Sequence, residues 1–177
     1  MRSQKKIIPL LLLAMVLSAS AAYAAGRFTS ATATVTDGNV RQSSAAIEPP
    51  PHIHGGLLVE FSEVGVGGYA LATYNVSADC TATYGCLNKS GKLPAAPSKR
   101  TVVGPVTTTI SITADETGRV VGAVAMAPAG PGDFTCKSGD APELLEVSYT
   151  NVWIREPAHG AEVNIPGTFS LTIIPTK

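Results

Sequence analysis

From Leu71 to Cys86 the chain alternates. Val76, Ala78, Cys80, Ala82, Tyr84 and Cys86 are apolar, and Thr73, Asn75, Ser77, Asp79, Thr81 and Thr83 between them are polar. A period of two over more than ten residues is the pattern of a β-strand with one buried and one wetted face. The run is long for a strand, so a bend midway or service to two sheets is expected. Two of the three cysteines lie on its apolar side.

The rest of the chain carries the same signature in shorter pieces. Leu57, Val59 and Phe61 share a face. Val106, Thr108, Ile110 and Ile112 alternate with Thr107, Thr109, Ser111 and Thr113. Asp115-Glu116-Thr117-Gly118 has the composition of a tight hairpin turn, after which Val120, Val124 and Met126 point inward. Leu145, Val147, Tyr149 and Trp153 mark a further strand, and Phe169, Leu171 and Ile173 the last. Loops are expected at 88–105, rich in Gly and Pro, and at 127–133. No segment after the first 24 residues has a helical period. Six to seven strands with turn-rich connections predict a single all-β domain. The expected fold is an Ig-like, Greek-key β-sandwich, with a small closed β-barrel as the alternative.

Residues 1–24 have the layout of a secretory signal. Arg2, Lys5 and Lys6 precede an apolar run from Ile7 to Leu17, and Ala22-Tyr23-Ala24 fits a cleavage site with the cut after Ala24. The apolar run is short for a membrane span, and no spanning run follows it. No lipobox cysteine follows it either. The expected destination is extracellular or periplasmic. Removing these residues lowers Lys plus Arg from 13 to 10 against 13 acids, a formal charge of −3. Such a charge argues against nucleic-acid binding. Residues 25–55 end in Pro49-Pro50-Pro51 and suggest a stiff spacer, with room for one short edge strand near 30–36. The sandwich itself is expected over 56–177, where clean alternation begins.

Export favours a disulfide. On one extended strand Cys80 and Cys86 stand roughly 20 Å apart, too far to pair unless the strand folds back. The bridge therefore uses Cys136. Cys86 is the favoured partner, since both it and Cys136 border loops. Cys80 is then a small buried hydrophobe.

The block from Leu57 to Phe169 resembles a family of small secreted bacterial proteins of unknown function. The resemblance rests on Ala82-Thr83-Tyr84-Gly85-Cys86-Leu87-Asn88, Pro94, Lys99 and Val103-Gly104-Pro105-Val106. It continues in Gly130-Pro131-Gly132-Asp133-Phe134-Thr135-Cys136, Val147-Ser148-Tyr149-Thr150-Asn151-Val152 and Ile165-Pro166-Gly167-Thr168-Phe169. It implies an exported β-rich fold with two cysteines, matching Cys86 and Cys136. Cys80 departs from the pattern. No catalytic residue or cofactor is implied.

Gly65-Val66-Gly67-Gly68-Tyr69-Ala70 has dinucleotide-fingerprint spacing, but a strand follows where a helix is required, so a plain turn is expected. Gly85 to Lys92 misses the phosphate-loop spacing by one residue, with Leu93 where Ser or Thr should stand. His52-Ile53-His54 would aim two imidazoles one way in an extended segment. Such a pair suits copper, zinc or nickel, with His159, Glu60 and Glu63 as further donors. The bland alternative is two solvated histidines. No G-x-S-x-G or H-E-x-x-H motif is present. Asn75 and Asn88 head glycosylation sequons, relevant only in a eukaryotic host.

Lys89, Lys92, Lys99 and Arg100 give the 88–105 loop a positive charge suited to an anionic envelope polysaccharide. Trp153 shares parity with Leu145, Val147 and Tyr149 and is expected in the core. Its alternative place is the surface, as a platform for stacking sugars. The first functional expectation is a secreted, non-catalytic binding or structural component of the cell envelope or extracellular matrix, without a cofactor. An exported metal-binding protein using His52 and His54 comes second, and an extracellular hydrolase third.

Overall fold

The computed structural model describes residues 25–37, 53–87, 99–137 and 141–173. Among them are eight strands and no helix. They are β1 (Arg27–Val35), β2 (Leu57–Val64), β3 (Leu71–Gly85), β4 (Lys99–Thr113), β5 (Arg119–Met126), β6 (Glu143–Glu156), β7 (Ala161–Ile165) and β8 (Phe169–Thr172). All pairings are antiparallel. One sheet runs β1-β2-β5. The other runs β4-β3-β6-β7, with β8 also pairing β6. The two sheets form a sandwich and do not close into a barrel. β6 returns to lie beside β3, β4 flanks β3 on its other side, and β5 crosses to the opposite sheet. This connectivity is of the Greek-key kind.

β3 is the centre of the larger sheet. It neither bends away nor changes sheets, and it pairs with β4 from Leu71 to Gly85. Its even residues Tyr74, Val76, Ala78, Cys80 and Ala82 are buried, as the alternation requires. Leu57, Val59 and Phe61 of β2 face them from the other sheet, and Val147, Tyr149 and Ile154 of β6 lie beside them in their own sheet. The Tyr149 hydroxyl donates to the Gly55 carbonyl at 2.7 Å, so this buried phenol is satisfied.

Four features depart from the sequence expectations. The edge strand expected near 30–36 is present as β1, but it is longer and integral, paired with β2 along nearly its whole length. Phe28, Ala31, Ala33 and Val35 of β1 pack on the core, so the sandwich begins well before residue 56. β4 starts at Lys99, inside the expected loop. It tolerates Pro105 because it is an edge strand, where a missing N–H can face away from the partner. The 115–118 turn is tight but is no hairpin, since β4 and β5 belong to different sheets. Asp115 braces this corner. It accepts from Thr117 N, Thr117 Oγ1 and Arg119 N, and the Thr117 hydroxyl leads in holding its carboxyl below the usual range. Finally, Trp153 is outside the core.

The reason for Trp153 lies two residues earlier. Ser77 pairs with Trp153 and Asp79 with Thr150, so Asn151 and Val152 together oppose Ala78. One extra residue reverses the inside–outside sense of everything after it. Before this bulge the buried residues are Leu145, Val147 and Tyr149. After it they are Val152, Ile154 and Glu156. Asn151 takes a positive φ of 51°, a conformation that asparagine tolerates and β-branched residues resist. Asn151→Gly should therefore melt close to the parent chain. Asn151→Val should lose about 1–3 kcal/mol in urea unfolding. Equal stability of the two variants would mean the bulge does not depend on this backbone conformation.

The Gly65–Ala70 segment is a turn. Gly65, Gly67 and Tyr69 all have positive φ, and β3 rather than a helix follows. Gly118 packs so closely here that a β-carbon on it would stand 2.9 Å from Gly67 N.

The bridge joins Cys86 to Cys136, 50 residues apart in sequence, with Cα atoms 5.6 Å apart. Cys80 is free and buried, and burial pushes its thiol pKa up. The 127–137 loop covers this end of the sandwich. Ala129 donates its N–H to Cys80 Sγ at 3.4 Å and accepts from the Tyr84 hydroxyl at 2.8 Å.

Candidate functional site

The outer face of the larger sheet is a broad surface of hydroxyls and amides. Register places Thr109, Asn75 and Arg155 in one row and Thr107, Ser77, Trp153 and Asn164 in the next. Pro105 and Asp79 follow, then Val103, Thr81, Ser148 and Ser170. Cross-strand bonds fix many of these side chains. Thr73 Oγ1 and Ser111 Oγ are 2.9 Å apart, and Thr83 Oγ1 and Thr101 Oγ1 are 3.1 Å apart. Thr109 donates to Asn75 Oδ1 at 2.9 Å, and Asn151 Nδ2 donates to Asp79 Oδ2 at 2.7 Å. Such pairs hold hydroxyls in register on a pleated surface.

Trp153 is the one large aromatic side chain within this surface and is half-buried. The Arg155 guanidinium carbon lies 5.2 Å from the ring centroid, within cation–π range. Arg155 also pairs with Glu162 at 3.4 Å, an exposed contact worth little to stability. The arrangement joins a flat apolar ring to flanking hydroxyl, amide and guanidinium groups held on rigid strands. Asp79, Glu146 and Glu162 lie on the same sheet face, so the surface mixes both signs of charge.

A second group of polar residues is shut inside. Glu63 near the end of β2 and Glu156 at the end of β6 are both 0% exposed. Glu156 Oε2 accepts from His159 N at 2.7 Å and lies 2.9 Å from His159 Nδ1, while Ala158 N donates to Oε1 at 3.3 Å. Glu63 has no such support. Neither of its oxygens, nor the Tyr74 hydroxyl, meets a hydrogen-bond partner in good geometry. Burial pushes the Glu63 carboxyl above its ordinary range. The nearby Tyr74 hydroxyl opposes that push and the Glu156 charge adds to it. Two carboxylates of a hydrolase need access to a glycosidic bond. These two are closed to solvent and offer none.

Among the described residues the sequence-derived candidates are dispersed. His52, Lys89 and Lys92 lie outside the described residues. His54 sits exposed on a turn. Glu60 and Glu63 point to opposite faces of β2, Glu60 toward an open depression of about 320 Å³ on the outer side of the smaller sheet. Glu60, Glu63 and His159 therefore do not converge on His54. No cluster of three or more His, Cys, Asp or Glu side chains suited to a metal occurs among the described residues. Lys99 and Arg100 open β4, where Arg100 is tied to Asp133 at 2.7 Å. Trp153 takes the alternative place considered for it. The signal that would have located it is the Thr150-Asn151 pair, suited to a bulge. Glu63 was legible, because it shares the odd parity of Leu57, Val59 and Phe61.

Among the described residues no helix is long and apolar enough to cross a membrane. Comparison with known proteins found no matching family model, no matching curated protein and no matching solved structure.

Proposed function

We propose that this is an exported, non-catalytic sandwich protein that binds polysaccharide of the cell envelope or extracellular matrix on the outer face of its larger sheet. The observation that carries this reading is the position of Trp153. A bulge turns the ring outward onto a rigid strand, beside Ser77, Asn164 and Arg155, with Thr107 one strand further along the same row. Burying a tryptophan in the core would have been the simpler use of its area. A half-buried ring flanked by fixed hydrogen-bonding groups suits the apolar face and the hydroxyl rim of a sugar ring. The signal-like first 24 residues and the Cys86–Cys136 bridge support export. Mixed charge around Trp153 favours a neutral stretch of glycan there. Anionic groups on the same polymer would meet Lys99 at the start of β4, Arg100 being tied to Asp133.

Trp153 is also the only tryptophan, so its fluorescence reports directly on the site. Titration with neutral and uronate-bearing oligosaccharides should shift or quench the emission at saturation. Trp153→Ala should weaken retention on the responding glycan by at least tenfold, about 1.4 kcal/mol. Its urea midpoint should stay close to the parent value, because the ring lies outside the core. Unchanged retention by a folded Trp153→Ala protein would sink the proposal.

A further inference from the structure

The buried Glu63 carboxyl lacks a counter-charge. No Lys or Arg pairs with Glu63 or Glu156 among the described residues. Burial favours the protonated form of Glu63; ionised, it would leave one negative charge uncompensated even with His159 protonated. An uncompensated carboxylate away from water is costly, and both Glu63 oxygens lack a donor. Something that donates and carries positive charge would complete this site.

The chain just before β1 runs against this carboxyl. A β-carbon built on Gly26 would collide with Glu63 Oε1 and stand 2.9 Å from His159 Cβ and 3.4 Å from Ala161 Cβ. The backbone at residue 26 therefore lies against the orphaned carboxyl. Glycine is needed there for room, not for an unusual φ. One residue spans at most ~3.6 Å, so Ala25 N is within one residue's reach of that contact. In the uncut chain this nitrogen is a neutral amide. A cut after Ala24 turns it into an ammonium with three donors.

We infer that the Glu63 site is a receptor for the chain's own α-ammonium at Ala25, created when the leader is removed. The inference rests on the export reading for the position of the cut. The released ammonium swings onto Glu63 Oε1, with the Glu156–His159 pair beside it. Removal of the leader thus completes the electrostatics of the sandwich, and the leader-bearing chain is held in a less stable form. Four groups face the site: Glu63 from β2, Tyr74 from β3, Glu156 from β6 and His159 from the β6–β7 turn. Among the described residues, Tyr74, Glu156 and His159 are the ionisable groups that act on Glu63.

The test uses chain released in vitro to begin at Ala25, with its α-amine either free or acetylated. Acylation of Ala25, followed by peptide mapping, should be at least tenfold slower in the folded free-amine protein than in urea. That protein should melt roughly 5–10 °C above the acetylated one. Glu63→Gln should abolish the difference between the two forms. Equal melting of the two forms, or equal acylation in folded and unfolded chain, overturns the inference. Sequencing the N-terminus of exported protein tests the cut separately. A first residue other than Ala25 overturns the processing step, whatever the docking result.

Discussion

Serine at both Cys86 and Cys136 should lower the unfolding free energy by about 4 kcal/mol. The bridge spans 50 residues, and in the chain-entropy model a cross-link of that length removes about this much disorder from the unfolded chain. A domain of this size holds about 5–15 kcal/mol in all, so the loss is a large share. The bridge also ties the end of β3 to the 127–137 loop, which supplies Ala129 N–H and C=O to Cys80 and Tyr84. The loop should therefore loosen first. Urea unfolding followed by circular dichroism gives the magnitude, and hydrogen exchange at Ala129 gives the order. A midpoint unchanged by the double substitution would show that the unfolded chain is already compact around this loop.

Deleting residues 25–52 should abolish cooperative folding. The alternation beginning at Leu57 suggests that nothing essential precedes it, yet β1 forms one edge of a sheet of only three strands. Without it, β2 and β5 remain as a pair, which is marginal on its own. The Phe28 ring also leaves, with its contacts to Phe61 at 5.9 Å and Tyr74 at 6.2 Å between centroids. Burial of Phe28 and Val35 contributes about 1.5–3 kcal/mol each, as an upper range for partly covered side chains. Calorimetry should show no sharp transition in the truncated chain. A transition within a few degrees of the parent would restore the sequence-based boundary at Leu57.

Local alternation made β2, β3 and the second half of β4 readable, because each keeps one sense from end to end. Where a strand changes sense, the same rule misleads. Leu145 to Trp153 looks like one continuous face, but the bulge at Asn151 divides it, sending Trp153 out and Glu156 in. Pro105 hid the start of β4 because proline argues against a strand unless its edge position is known. β1 alternates only weakly, through small alanines, and its worth comes from contacts with distant β2 and β7. The candidate site was hidden for the same reason. Its rows join residues from four strands, and only register brings Ser77, Thr107, Trp153 and Asn164 together. The pairing of Cys86 with Cys136 was readable in two steps: strand spacing removes Cys80–Cys86, and the positions of Cys86 and Cys136 beside loops favour them over Cys80–Cys136.

The third cysteine sets the order in which this protein can mature. Thiolates, not thiols, attack disulfides, and Cys80 is buried with its pKa pushed up. While the chain is open, Cys80 is free to compete with Cys86 for Cys136. Once β3 is covered, that competitor is chemically silent. Oxidation before closure of the sandwich would therefore yield a mixture of isomers, whereas closure first yields a single product. Refolding yields should rise when oxidant is added late, and Cys80→Ala should make the timing irrelevant.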